Sequence, residues 1–190
     1  MCTVDASGLL DRTASTRDVA SIAATIARFG SGAVTFARRH GIRIAPLHPA
    51  QRYRDASKAL RRLGVDVDAW PVPPAGLFVV EERTVYLRSA TPMTVAHEFA
   101  HGLDCALGGG VYRSGFDSSI RRAFAATRGF VTPYAATGLD EYFAESLRAY
   151  VEVNDAASPW PAATRERLAA VDPAMYRFVE ALFTFDFSAT

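Results

Sequence analysis

The sequence predicts an α+β fold in which a small β-sheet lobe adjoins a helical C-terminal lobe. Three observations carry that reading. Two β-rich runs, at 76–80 and 84–87, flank a charged turn; one helix is punctuated at both ends, by Thr91-Pro92 and by Gly108-Gly109-Gly110; and from Ser118 onward apolar residues recur only at helical spacing. The 190 residues suffice for one domain, expected to span 1–190, with 1–15 as a flexible start and 76–153 as the core of any site.

Taken in order, Val19, Ile22, Ile26, Phe29, Val34 and Phe36 favour helix from 16 to about 39, with an interruption at Gly30-Ser31-Gly32 and a stop at Gly41. Residues 42–45 read as a short strand. Residues 54–63 read as one helix ending at Gly64, and Pro71-Val72-Pro73-Pro74 as a connection into the hairpin, whose turn is Glu81-Glu82-Arg83. Thr91 is an N-cap residue and Pro92 suits the first helical position, where its missing N–H costs nothing. Further helices are expected at 118–127, 140–153, 162–171 and 173–183.

Composition excludes several classes. Apolar residues make up 49% and the formal net charge is +1, so neither a disordered tail nor a global nucleic-acid binder is in view. No apolar run approaches the roughly 18 residues of a membrane span. The polar N-terminus carries no Sec-type signal, so the expectation is a cytoplasmic protein or one exported by a route the sequence does not display. Cys2 and Cys105 cannot make a disulfide framework. Residues 38–62 are locally basic, with Asp55 as the one acid, and read as a solvated face more readily than as a contact surface for an acidic partner.

The helix after Pro92 holds His97-Glu98-Phe99-Ala100-His101. Four residues is slightly more than one helical turn, so both imidazoles share a face and can point at one ion. Glu98 lies about 100° round from His97, beside such an ion, where a carboxylate can take a proton from an activated water. Val95, Phe99, Leu103 and Ala106 form the opposite, core-facing stripe. Asp104 falls on the histidine face and is a candidate acceptor for an outward imidazole N–H, while Cys105 reads as helix packing and not as a ligand.

Two histidines leave a catalytic zinc one protein ligand short. Glu141 and Glu145, four apart on a predicted helix, are both candidates, and their spacing does not choose between them.

His97-Glu-Phe-Ala-His-Gly-Leu-Asp104, Tyr134 and Glu141-Tyr-Phe-Ala-Glu145 together resemble the catalytic domain of anthrax toxin lethal factor and its relatives, which include the secreted Pro-Pro endopeptidases. The likeness runs over residues 76–150. It implies a zincin-like metallopeptidase fold with one catalytic Zn2+, held by His97, His101 and Glu141, with Glu145 supporting the site. It also implies Glu98 as general base and Tyr134 as the donor that stabilises the oxyanion. The expected partner is a protein or peptide substrate in a cleft beside the hairpin edge. Two other readings stay open: an effector module that keeps the zinc fold but acts by binding a protein, and a structural zinc site closed by Cys105 or Asp104.

Overall fold

The computed structural model describes residues 7–10, 16–156, 158 and 162–187. The expected flexible start, 1–15, lies mostly outside the described residues. The described chain is α+β, as the sequence predicts: a three-stranded sheet and nine α-helices among the described residues.

Helices α1 (Thr16–Ala27) and α2 (Gly30–Arg39) replace the single interrupted helix, and the break falls at Gly30, whose φ of 81° admits no ordinary side chain without strain. Strand β1 (Arg43–Pro46) follows. Residues 54–63 are not one helix but two, α3 (Tyr53–Ala56) and α4 (Lys58–Leu63). Ser57 divides them: its backbone is extended and its hydroxyl accepts from the Leu60 N–H, so it caps the second helix instead of continuing the first. Strands β2 (Gly76–Val79) and β3 (Thr84–Leu87) form the expected hairpin, turned by a short 3-10 segment and by Arg83 at positive φ.

In the sheet, β3 is central, parallel to β1 and antiparallel to β2, with Phe78 opposite Val85 and Gly76 opposite Leu87. Strand periodicity sorts the side chains onto two faces. Phe78, Val85, Leu87 and Ile44 join the main core, while Val79 and Tyr86 join a smaller one with Tyr53, Leu60 and Val67. Strand β2 is therefore a sheet edge, and its entry is anchored by the Tyr53 hydroxyl, which donates to the Pro74 carbonyl at 2.8 Å.

Helix α5 (Pro92–Leu107) runs through the main core, packed against α1, α2, β2 and α7 (Leu139–Tyr150). Its Thr91 cap is as expected, the hydroxyl accepting from the Thr94 N–H. Helices α6 (Ser118–Ala126), α8 (Arg165–Val171) and α9 (Pro173–Ala181) complete the helical lobe.

The basic stretch is not a free cationic face. Arg52 and Arg54 pair with Asp66, Arg62 pairs with Glu81, and Arg61 donates to the Arg54 and Asp55 carbonyls. The acids that answer it lie outside the window.

Candidate metal centre

Helix α5 presents His97 and His101 to α7, where Glu141 stands in the first turn. The three side chains converge. His97 Nε2 lies 2.9 Å from Glu141 Oε2 and 3.1 Å from His101 Nε2, and His101 Nε2 lies 3.4 Å from the same carboxylate oxygen. A tetrahedral cation with bonds of about 2.0–2.2 Å spaces its ligands by roughly 3.3–3.6 Å, close to this triangle.

Hydrogen bonding fixes what these atoms are. His97 Nδ1 donates to Glu145 Oε1 at 2.9 Å, so in the neutral ring Nε2 carries a lone pair toward Glu141. Glu141 Oε2 is buried, with the two imidazole Nε2 atoms as its polar neighbours. Electron-pair donors packed so tightly repel unless a positive charge sits among them. In the protein without a cation a proton supplies it: burial pushes the His97 pKa down, but the bonds to Glu141 and Glu145 outweigh burial and raise it to about 10. Burial acts in the opposite sense on Glu141, and the two imidazoles outweigh it, holding its carboxyl well below the usual range. The donor set of two imidazoles and a carboxylate fits a divalent metal ion.

Behind His97 the chain is committed to orientation. Glu145 Oε1 also accepts from Arg148 Nε at 2.9 Å, and Oε2 accepts from Arg148 at 2.8 Å and from the Thr132 hydroxyl at 2.6 Å. Arg148 is 2% exposed, and its remaining terminal nitrogen donates to the Val153 carbonyl and Asn154 Oδ1. Burial favours the neutral form of Glu145, yet His97 and Arg148 keep it ionised.

Glu98 points to the other side, under β2. Its pKa is raised, chiefly by burial and partly offset by the two histidines and by the Phe78 backbone amide. Gly76 makes room for it, since a Cβ there would lie 2.5 Å from Glu98 Cγ. Tyr134, half-exposed at the mouth, stands with its ring 5.5 Å from that of His97 and its hydroxyl donating to Glu141 Oε1 at 3.1 Å. Burial, and then Glu141, raise its pKa, so the phenol remains a proton donor at neutral pH. A pocket of about 220 Å3 opens beside His97, Glu98 and Tyr134 and is walled by Pro74, Met93 and Thr94.

Among solved structures, this architecture matches a Pro-Pro endopeptidase (PPEP-2) from Paenibacillus alvei at a TM-score of 0.66. The fold is shared. The match covers 93% of this chain and 98% of that one, at 18% sequence identity. No protein-family model matches the sequence, and no curated protein matches it.

Not every expected contact is made. Asp104, expected to accept an imidazole N–H, instead binds the Ser114 N–H and hydroxyl, and His101 Nδ1 is left buried without a partner among the described residues. Those two donors from a neighbouring loop reach the carboxylate where the ring does not. Cys105 is fully buried in the core and lies outside the set of groups that could hold a metal among the described residues. Sequence reasoning missed Arg148 and Thr132. Arg148, three residues after Glu145 on one helix face, was within reach of a pairing argument; nothing local marks Thr132.

Proposed function

We propose that the chain is a zinc-dependent endopeptidase of the lethal-factor-like kind, and the convergence of His97, His101 and Glu141 with Glu98 alongside is the observation that carries the reading. Two imidazoles and one carboxylate at near-tetrahedral spacing favour zinc and leave a position for water or substrate. A zinc ion held by His97, His101 and Glu141 would supply a Lewis acid that activates water for attack. Glu98, whose carboxylate form is favoured by the two histidines beside it, would take the proton from the attacking water and return it to the leaving amine. Tyr134 needs only to shift its hydroxyl from Glu141 to donate to the oxyanion. A substrate strand can pair with the open edge of β2, placing its scissile carbonyl over the site and one side chain in the adjoining pocket.

Incubation with a diverse peptide library tests this, with new termini read by mass spectrometry in untreated, chelator-treated and zinc-restored samples. Cleavage that disappears with the chelator and returns with zinc is expected. An absence of new termini from zinc-loaded protein refutes the proposal.

The reading also makes Gly76 a positioning residue. Gly76→Ala places a methyl group 2.5 Å from Glu98 Cγ and 2.9 Å from Thr94 Cγ2, so these side chains must shift. Displacing the base by about 1 Å should lower kcat by up to ~100-fold, with about 1–3 kcal/mol lost to overpacking. Steady-state kinetics and a thermal melt check this; an unchanged kcat means the base tolerates displacement and is wrongly assigned.

A further inference from the structure

The chain treats the two histidines differently. His97 is oriented by the Glu145 hydrogen bond, whereas His101 Nδ1 has no hydrogen-bond partner among the described residues, and its ring must be held by other means. The Tyr112 ring packs against it, with centroids 5.5 Å apart and planes inclined at 41°, and Tyr112 also meets Phe78 of β2 at 6.2 Å.

Tyr112 sits in the loop that leaves α5, and this loop is folded tightly back on the helix. A Cβ on Gly108 would lie 1.9 Å from the Val111 carbonyl oxygen, so only glycine permits the fold. Two residues after Tyr112, Ser114 donates its N–H to Asp104 Oδ1 at 2.9 Å and its hydroxyl to Asp104 Oδ2 at 2.5 Å. Asp104 and Ser114 are both fully buried, so this bidentate clamp is shielded from competing water. Asp104 is one turn beyond His101 on the same helix, which ties the loop to the turn that carries the ligand.

We propose that Asp104, Ser114 and Tyr112 form a second positioning arm of the metal centre, in which the clamp fixes the loop and the Tyr112 ring holds the His101 imidazole with Nε2 aimed at His97 and Glu141. The inference rests on the proposed metal centre and deepens it. The ring does the positioning, by packing; the hydroxyl is not required. His97 is thus held by charge-assisted hydrogen bonds and His101 by an aromatic wall clamped at one remove.

The test measures zinc affinity by chelator competition and the absorption spectrum of the Co2+-substituted protein, for wild type, Tyr112→Phe, Tyr112→Ala, Ser114→Ala and His97→Ala. Tyr112→Phe should match wild type in both readouts, while Tyr112→Ala and Ser114→Ala should bind zinc about 10–100-fold more weakly, the range for lost outer-shell support, with an altered Co2+ spectrum. A purely structural role would lower the melting temperature of the metal-free variants and leave the Co2+ spectrum of the folded fraction unchanged. If Tyr112→Ala does not fold, Ser114→Ala, which keeps the ring, decides. Wild-type affinity and spectrum in the alanine variants that fold overturn the arm alone. Wild-type affinity in His97→Ala, or no zinc binding by the wild type, overturns the metal centre instead. A loss in Tyr112→Phe equal to that in Tyr112→Ala would show that the hydroxyl acts, which also overturns the inference.

Discussion

Glu98→Gln should yield a folded, zinc-binding protein whose kcat for peptide cleavage falls by about 10²–10⁴-fold, the range that general-base catalysis contributes. The substitution keeps shape and removes only the ability to take a proton. Glutamine matches glutamate in size, so neither Gly76 nor Thr94 needs to move. Stability should move the other way. Burial raises the Glu98 pKa above its ordinary 4.5, so in the metal-free protein the folded state holds this carboxyl's proton more tightly than the unfolded chain does. Such a group costs stability above pH 4.5 or so, as the unfolded chain gains by ionising, and a neutral amide removes that cost. Metal-free Glu98→Gln should therefore melt no lower than wild type at neutral pH. Loss of kcat with an unchanged zinc content and an unchanged or raised melting temperature is the expected combination. Full activity in the variant would place the base elsewhere, and loss of zinc would make Glu98 a ligand.

How much of this was legible in the sequence depends on how far each determinant lies along the chain. Helix α5 was readable throughout, because its cap, its first-turn proline, its closing glycine and its two histidines are all local signals. The hairpin was readable from two β-rich runs around a charged turn. The 54–63 segment was misread because Ser57 is permissible inside a helix, and only its capping of Leu60 reveals the break. The partners of the basic stretch were not readable within it, because Asp66, Asp68 and Glu81 come from beyond it.

The site divides in the same way. Glu141 and Glu145 lie four apart on α7, so spacing puts both toward α5 and cannot rank them. The tertiary crossing separates them by depth. The Glu141 side chain, 20% exposed, faces the ring nitrogens that point into the cleft, whereas the Glu145 side chain, 5% exposed, meets the Nδ1 that points away from it. Asp104 was placed on the correct helix face, but the serine that claims it stands ten residues on in a loop whose path no local rule predicts.

Arg148→Met should cost about 3–5 kcal/mol, since removing one partner of a buried ion pair strands the other. Every nitrogen of this guanidinium that can donate does so, to Glu145, the Val153 carbonyl or Asn154, at 2% exposure. Methionine can fill the volume but leaves Glu145 buried against His97 and the Thr132 hydroxyl alone. The pH dependence follows from the sign of the Glu145 shift. Burial raises its pKa, but His97 and Arg148 together depress it below the ordinary 4.5, so the carboxylate contributes stability that is present above pH 4.5 or so and is lost as pH falls through the folded value. Without Arg148 that contribution shrinks, and the stability gap between variant and wild type should be wide at pH 7 and narrow under acid. Urea unfolding of the metal-free proteins at several pH values measures this. Zinc affinity should fall in parallel by about 10–100-fold, because Glu145 then holds His97 less firmly. Adding Glu145→Gln to Arg148→Met should restore part of the stability without restoring zinc affinity, since the amide removes the stranded charge but is a weaker acceptor for His97 Nδ1 than a carboxylate. A loss below about 1 kcal/mol in Arg148→Met would mean that water or another cation replaces the guanidinium, and the buried network would not be what holds His97 in place.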